Sequence, residues 1–488
     1  MFRTMVFSLI IVLSVLSQGC NKTPSQNTQD TKMAFAGLAT SFKVVPLPDP
    51  HIAGFHFPEA ESTIDQWISS NDTASISLHG WGIWTALTIN SGEQLNGQAL
   101  RVFETWLTPD DIAYAIKAKK ENRLMALNEM PRSRGRLKIP TQTLHAEKNA
   151  KQKLMQLIQS PDSARILGFV KYDPTAAEFT INNSLYLSST LIAMLKSKKT
   201  SIPDFPDSSI VLKPVFEIIT KKSLSDGFYQ LKAWAGPPST AVPFPEQKWK
   251  GCVYVDLSNH ANGKGSIDFG CQNRMMLNTY NLNDFIYFKL DEQTAEDLRN
   301  HFGLDSATEG DIALLVAMHV TSREIKRWTW QTFWWAPDPM TPPAPSSAKI
   351  AAQRPQELQG AARHYAMSVG YTFITPDQPI TGGDNIGMSA YAYNPYLEAQ
   401  FGPETFYDTA KVLTHGKQIV NNVGIRTNCM SCHALANYSP TSISPGYMAD
   451  TYIDIEGVRF KGVLKLDFLW SIQGNIIEDR SETSMKKP

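Results

Sequence analysis

The sequence predicts an α+β chain, a strand-rich mixed N-terminal body followed by a mainly α-helical C-terminal region, and three observations predict it. Short β-branched and aromatic stretches separated by Pro, Gly and Asn fill residues 166–290, among them ILGFVKY, SIVLKPVFEII, CVYVDL and FIYFKL. Upstream of them Thr108-Pro109-Asp110-Asp111 leads into IAYAIKAKKENR, with acids opening the segment and bases closing it as the helix dipole prefers. Five prolines within residues 336–348 can continue neither a helix nor a central strand and mark the boundary between the two regions.

At 488 residues the chain is long enough for two or more folding units. Its apolar and charged fractions, 42% and 19%, are those of an ordinary globular protein, which excludes wholesale disorder and a polytopic membrane protein. The 46 basic residues balance 46 acidic ones, so no global field draws the chain to nucleic acid. The local basic cluster Arg132, Arg134, Arg136 and Lys138 lacks interleaved aromatics and reads as a solvated loop.

Residues 1–19 read as an export signal. Arg3 precedes an apolar run from Met5 to Leu16 that is too brief to span a bilayer, and Ser17-Gln18-Gly19-Cys20 follows it. A Cys directly after Gly resembles a bacterial lipobox, which implies a lipid on Cys20; Ser17 departs from the usual pattern three places before it. Residues 20–40 are a polar tether without periodicity. The expected location is the cell envelope on the periplasmic side, held to the membrane by the N-terminal lipid. Asn21 after Cys20 favours the outer membrane over the inner.

Residues 41–335 form the mixed body, with no repeat at solenoid or propeller period. Cys252 and Cys271 are the cysteines left once Cys20 and a later pair are assigned. An oxidising compartment predicts a disulfide between them, closing a hairpin whose strands alternate through Val253, Val255 and Leu257 and return through Ile267 and Phe269 after Asn262-Gly263. Trp328, Trp330 and Trp334 fall on alternate positions, the pattern of one face of a buried strand, against the alternative of an aromatic cleft or docking face. His79 and His319 sit beside apolar runs and are candidates for a pocket, the commoner role being a satisfied core histidine.

After the proline-rich linker, residues 349–488 hold the motif that carries chemistry. Asn428-Cys429-Met430-Ser431-Cys432-His433 contains C-x-x-C-H. Two thiols three positions apart on a helical turn suit addition to the two vinyl groups of one haem edge, and the adjoining imidazole suits the iron. A structural zinc site lacks a second ligand pair at the right spacing, and a thioredoxin-like dithiol lacks its βαβ setting. One motif implies one covalently attached haem c.

Around this motif the sequence resembles the cytochrome c family over roughly residues 400–475. Phe406 to Asn421 looks like the amphipathic helix that precedes the haem motif in that family, and the resemblance implies a cytochrome c-like haem domain with His433 as proximal iron ligand. The family's distal Met usually lies farther downstream. Met448, 15 residues after His433, is the first candidate for the sixth ligand; His415, Met388 and His364 are the alternatives, and so is an open sixth position. The expected function is single-electron transfer to a redox partner protein. The alternatives are a haem enzyme of peroxidase-like chemistry, or a sensor, with a pocket in the N-terminal body, and a docking lipoprotein. No Ser-His-Asp, H-E-x-x-H, Walker or G-x-G-x-x-G pattern supports a separate catalytic machine.

Overall fold

The computed structural model describes residues 42–123, 126–130, 132–139, 166–406, 413–414, 417–418, 422–441 and 447–479. Cys20, the signal and the tether lie outside the described residues, as does His415.

The chain opens with α1 (Glu61–Ser69) and α2 (Thr73–Thr88), a ribbon of β1 (Asn90–Leu95) and β2 (Gln98–Arg101), and α3 (Pro109–Lys120). There follow β3 (Ile166–Gly168), β4 (Lys171–Tyr172), α4 (Pro174–Asn182), α5 (Ser188–Lys196), β5 (Ile210–Ile219), β6 (Phe228–Lys232), β7 (Gly251–Asp256), β8 (Asp268–Phe269), β9 (Thr279–Asn281) and β10 (Tyr287–Lys289). Next come α6 (Glu292–Phe302), β11 (Ile312–Ser322), β12 (Thr329–Trp335), α7 (Ala348–Ala352), β13 (Tyr365–Gly370), β14 (Ile374–Thr375) and β15 (Met388–Ser389). The last elements are β16 (Leu413–Thr414), β17 (Lys417–Gln418), α8 (Cys429–His433), β18 (Asn437–Tyr438), β19 (Leu464–Lys465) and α9 (Trp470–Gln473).

The mixture of helices and sheets is the α+β class that the sequence predicts. α3 starts where expected: Thr108 Oγ1 accepts from Asp111 N at 3.1 Å, Asp111 Oδ2 accepts from Thr108 N at 2.8 Å, and Pro109 occupies the first turn. The central sheet runs β13-β12-β11-β5-β3, with β10 beside β11 and β4 beside β5, all pairs antiparallel. Every residue of β12 is buried, so this strand has two covered faces. On one face Phe333 stacks on Trp84 of α2 with ring centroids 4.2 Å apart. The close approach of that helix to the sheet depends on Gly80, where a Cβ would fall 2.8 Å from Met367 Sδ and 3.3 Å from Gln331 Cγ. Trp330, Thr332 and Trp334 occupy the other face.

Three expectations are corrected. The proline-rich segment 336–348 separates no domains: β12 before it pairs with β13 after it, from Trp335↔Tyr365 to Trp330↔Gly370. Residues 40–488 form one compact unit, and Trp84, Phe333, Tyr365 and Tyr393 share one core. The segment itself is packed, its Ala344 carbonyl accepting from Trp234 Nε1 at 2.7 Å. Nor are residues 349–488 mainly helical: the described α7, α8 and α9 have five, five and four residues and are set among short strands. Where residues 406–421 are described, β16 and β17 pair antiparallel instead of continuing a helix. Finally, the basic cluster is a solvated loop only in part: Lys138 is exposed and Arg136 half-buried, but the other two arginines are not solvated. Arg132 and Arg134 are buried, Arg134 against Glu104 at 3.4 Å and over the Phe288 ring at 4.3 Å, because facing acids and an aromatic ring replace the water that guanidinium loses.

The disulfide is present. Cys252 and Cys271 are joined with their Cα atoms 5.2 Å apart, where β7 and β8 pair as Gly251↔Phe269 and Cys252↔Asp268. The connection is wider than the tight turn expected at Asn262-Gly263, because β9 rather than a longer β8 takes the edge of β7, in parallel from Tyr254↔Thr279 to Asp256↔Asn281.

Candidate functional site

α8 is too short to hold itself in place, and Asn428 anchors it. The Asn428 side chain caps the helix by accepting from Met430 N at 2.9 Å, and its amide donates to the carbonyls of Thr372 (3.0 Å), Phe373 (3.3 Å) and Ala390 (2.6 Å). Ser431 Oγ donates to Thr451 O at 2.6 Å, and Cys429 N donates to Ala392 O at 3.1 Å. Asn428, Cys429 and Ser431 are thereby tied to segments distant in sequence.

The motif side chains face a cavity of about 240 Å³ whose lining includes Cys429, Cys432, His433, Trp330, Tyr447 and Trp470. His433 Nδ1 lies 2.8 Å from the carbonyl oxygen of Phe468. A carbonyl only accepts, so Nδ1 carries the proton and Nε2 keeps its lone pair. That carbonyl is presented by left-handed backbone at Asp467 (φ 46°) and Phe468 (φ 66°). Such conformations persist in non-glycine residues where neighbours over-determine them. Here Asp467 Oδ2 accepts from Arg323 Nε at 3.2 Å and from Phe205 N at 3.1 Å.

Burial sets the electrostatics. It pushes the His433 imidazole down to about 4, against the opposing hydrogen bond to Phe468, so the ring is neutral at physiological pH. Burial and then the Glu398 charge push both thiols well above their ordinary range. This direction is opposite to the one that activates the thiol of a disulfide oxidoreductase. Among the described residues no three His, Cys, Asp or Glu side chains converge as a metal-holding group. Trp330 covers the imidazole of His433, ring centroids 4.2 Å apart, and Trp470 Nε1 donates to Cys432 O at 3.1 Å. Trp330 and Trp334 thus share a buried strand face, as expected, and Trp330 is also a wall of the cavity, whereas Trp328 is buried ahead of β12 in left-handed backbone (φ 58°) and is not part of that face.

No family model, no curated protein and no solved structure matches the chain.

Of the candidates for a sixth ligand, the three that are described fall outside the cavity lining. Met448 is buried in a core with Met430 and Tyr447 and does not line the cavity, because its loop turns the adjacent Tyr447 there instead. Met388 is exposed on β15, and His364 faces Asp284 at 3.7 Å beside Trp335. Besides Asp110, Arg136 and Lys138, the cavity brings together three ionisable residues from distant parts of the chain. Lys213 and His319 stand opposite each other on β5 and β11, and His319 Nε2 lies 3.0 Å from Glu398 Oε1. Burial lowers the Lys213 ammonium to about 8, with Glu398 opposing. Glu398 is held where it is by a close backbone crossing, since a Cβ on Gly424 would fall 1.5 Å from the Glu398 carbonyl oxygen. Sequence reading raised His319 as a pocket candidate and passed over Lys213 and Glu398. The signal was a Lys and a His inside otherwise apolar strands, LKPVF and LLVAMHV.

His79 is a satisfied core histidine. Its Nδ1 lies 2.7 Å from Tyr371 OH and its Nε2 3.0 Å from Glu324 Oε1, fully enclosed and away from the cavity.

Proposed function

We propose that the chain is a monohaem c-type cytochrome that carries single electrons. Cys429 and Cys432 would hold the haem covalently and His433 would ligate its iron. The observation that carries this reading is the His433 ring: neutral, fixed through Nδ1 to the Phe468 carbonyl, with Nε2 left as a lone pair in a cavity that both thiols border.

The donor set fits the group. Two neutral thiols are available for addition, the imidazole has one defined tautomer, and Trp330, Tyr447, Leu469 and Trp470 supply apolar walls. Arg136 and Lys138 also line the cavity, partly exposed and paired with Asp297 at 3.3 Å and Asp110 at 3.4 Å. Their cations suit the carboxylate groups that a haem carries. When bound, a haem supplies reversible one-electron chemistry at iron. The chain's part is to fix the imidazole and to exclude water from its neighbourhood with indole rings.

The export signal and Cys20 support placement at the periplasmic side of the envelope with a lipid anchor, where the partner would be a redox protein. No described helix is long and apolar enough to cross a membrane.

Spectroelectrochemical titration of the protein from a host that attaches haem tests this reading. A single one-electron transition is expected in the wild type, with covalent haem lost in Cys429→Ala/Cys432→Ala. A wild-type protein without haem absorption contradicts it.

A further inference from the structure

The cavity has a charged wall that electron transfer alone does not use. His319 and Lys213 are direct cross-strand partners, and Thr321↔Trp330 lies two residues along the same sheet face, so the wall adjoins the indole that covers His433. His319 and His433 are oriented alike. Each has one ring nitrogen held by an oxygen acceptor, Glu398 Oε1 at 3.0 Å and Phe468 O at 2.8 Å. Among the described residues no hydrogen bond engages His319 Nδ1 or His433 Nε2. With the Glu398 carboxylate as acceptor, His319 carries its proton on Nε2 and presents Nδ1 as a base.

These groups select a ligand by charge. An obligate anion meets the Glu398 carboxylate, and an aprotic neutral molecule brings no proton to His319 Nδ1. A small weak acid H–X satisfies all three. We propose that His319, Glu398 and Lys213 form a binding site for such a molecule beside an open face of the haem, an inference that rests on the haem reading. The H–X bond breaks heterolytically: the proton passes to His319 Nδ1, whose imidazolium Glu398 stabilises, and X⁻ keeps the electron pair beside Lys213. No electron is consumed. The other ionisable groups around this wall are His433 on α8, and Tyr447, Asp110, Arg136 and Lys138 in the cavity lining.

The test uses the haem-loaded full chain and reads optical spectra. Hydrogen cyanide and hydrazoic acid are the weak-acid probes, and carbon monoxide on the ferrous form, which brings neither proton nor charge, is the control. His319→Gln keeps a donor for Glu398 while removing the base, and Lys213→Met removes the cation at similar length. Each is expected to weaken binding of both acids by about tenfold or more, the loss of a hydrogen bond to a charged group, with carbon monoxide affinity unchanged. A six-coordinate wild-type protein that binds no cyanide overturns the proposal, as does unaltered cyanide affinity in both variants; either result leaves the covalent haem reading standing. A chain that takes no covalent haem overturns both.

Discussion

The Nδ1 of His433 lies 2.8 Å from the carbonyl oxygen of Phe468, a residue 35 positions later whose backbone is left-handed. This contact assigns the imidazole tautomer without any charged partner. Burial then disfavours protonation, and the unfolded chain takes up a proton before the folded one does. In the haem-free Cys429→Ala/Cys432→Ala protein, stability present above the ordinary histidine pKa is lost as pH falls from about 6.5 toward the folded value of about 4. At pH 5 this amounts to about 2 kcal/mol relative to pH 7.5. Urea unfolding at the two pH values, with and without an added His433→Gln substitution, measures it; equal pH dependence in both proteins contradicts the assignment.

Asn428 is predicted to be irreplaceable by the residue that most resembles it. At an exposed helix N-cap Asp and Asn are equivalent. Here the side-chain amide donates to three carbonyls, and a carboxylate would face those oxygens with no proton to offer. Asn428→Ala is expected to cost about 2–4 kcal/mol, a lost cap plus unpaired buried carbonyls, and Asn428→Asp at least as much. Equilibrium denaturation that ranks Asp above Ala would overturn this account of how α8 is held.

The Cys252–Cys271 link spans 19 residues of sequence. Reduction is expected to lower stability by about 3 kcal/mol through the freed unfolded chain. The loss should be shared by Cys252→Ser/Cys271→Ser and leave haem attachment intact, because β7 and β8 are remote in sequence from α8 and absent from the cavity lining. Chemical denaturation with and without reductant reads the first effect and haem staining the second.

Local chemistry was legible in the sequence, and non-local pairing was not. The Thr108-Pro109-Asp110-Asp111 start, the buried strand face of Trp330 and Trp334, the disulfide and the C-x-x-C-H pattern are all written within a few residues of one another or follow from compartment. The proline-rich segment reads locally as a boundary, yet β13 crosses back to pair with β12 because that strand needs a partner on its free edge. Met448 has plausible loop chemistry, but its thioether is taken by the core. The charged wall was least legible, since the β5–β11 register and a contact across 79 residues bring Lys213, His319 and Glu398 together.

Trypsin cleavage after Arg426 and Arg459 releases residues 427–459, which contain Cys429, Cys432 and His433. Mass analysis of that peptide, from protein made in a host that attaches haem, tests the central claim most directly. The account predicts a peptide heavier by one haem, with neither thiol open to alkylation. A peptide of unmodified mass, with Cys429 and Cys432 both alkylated, would contradict it.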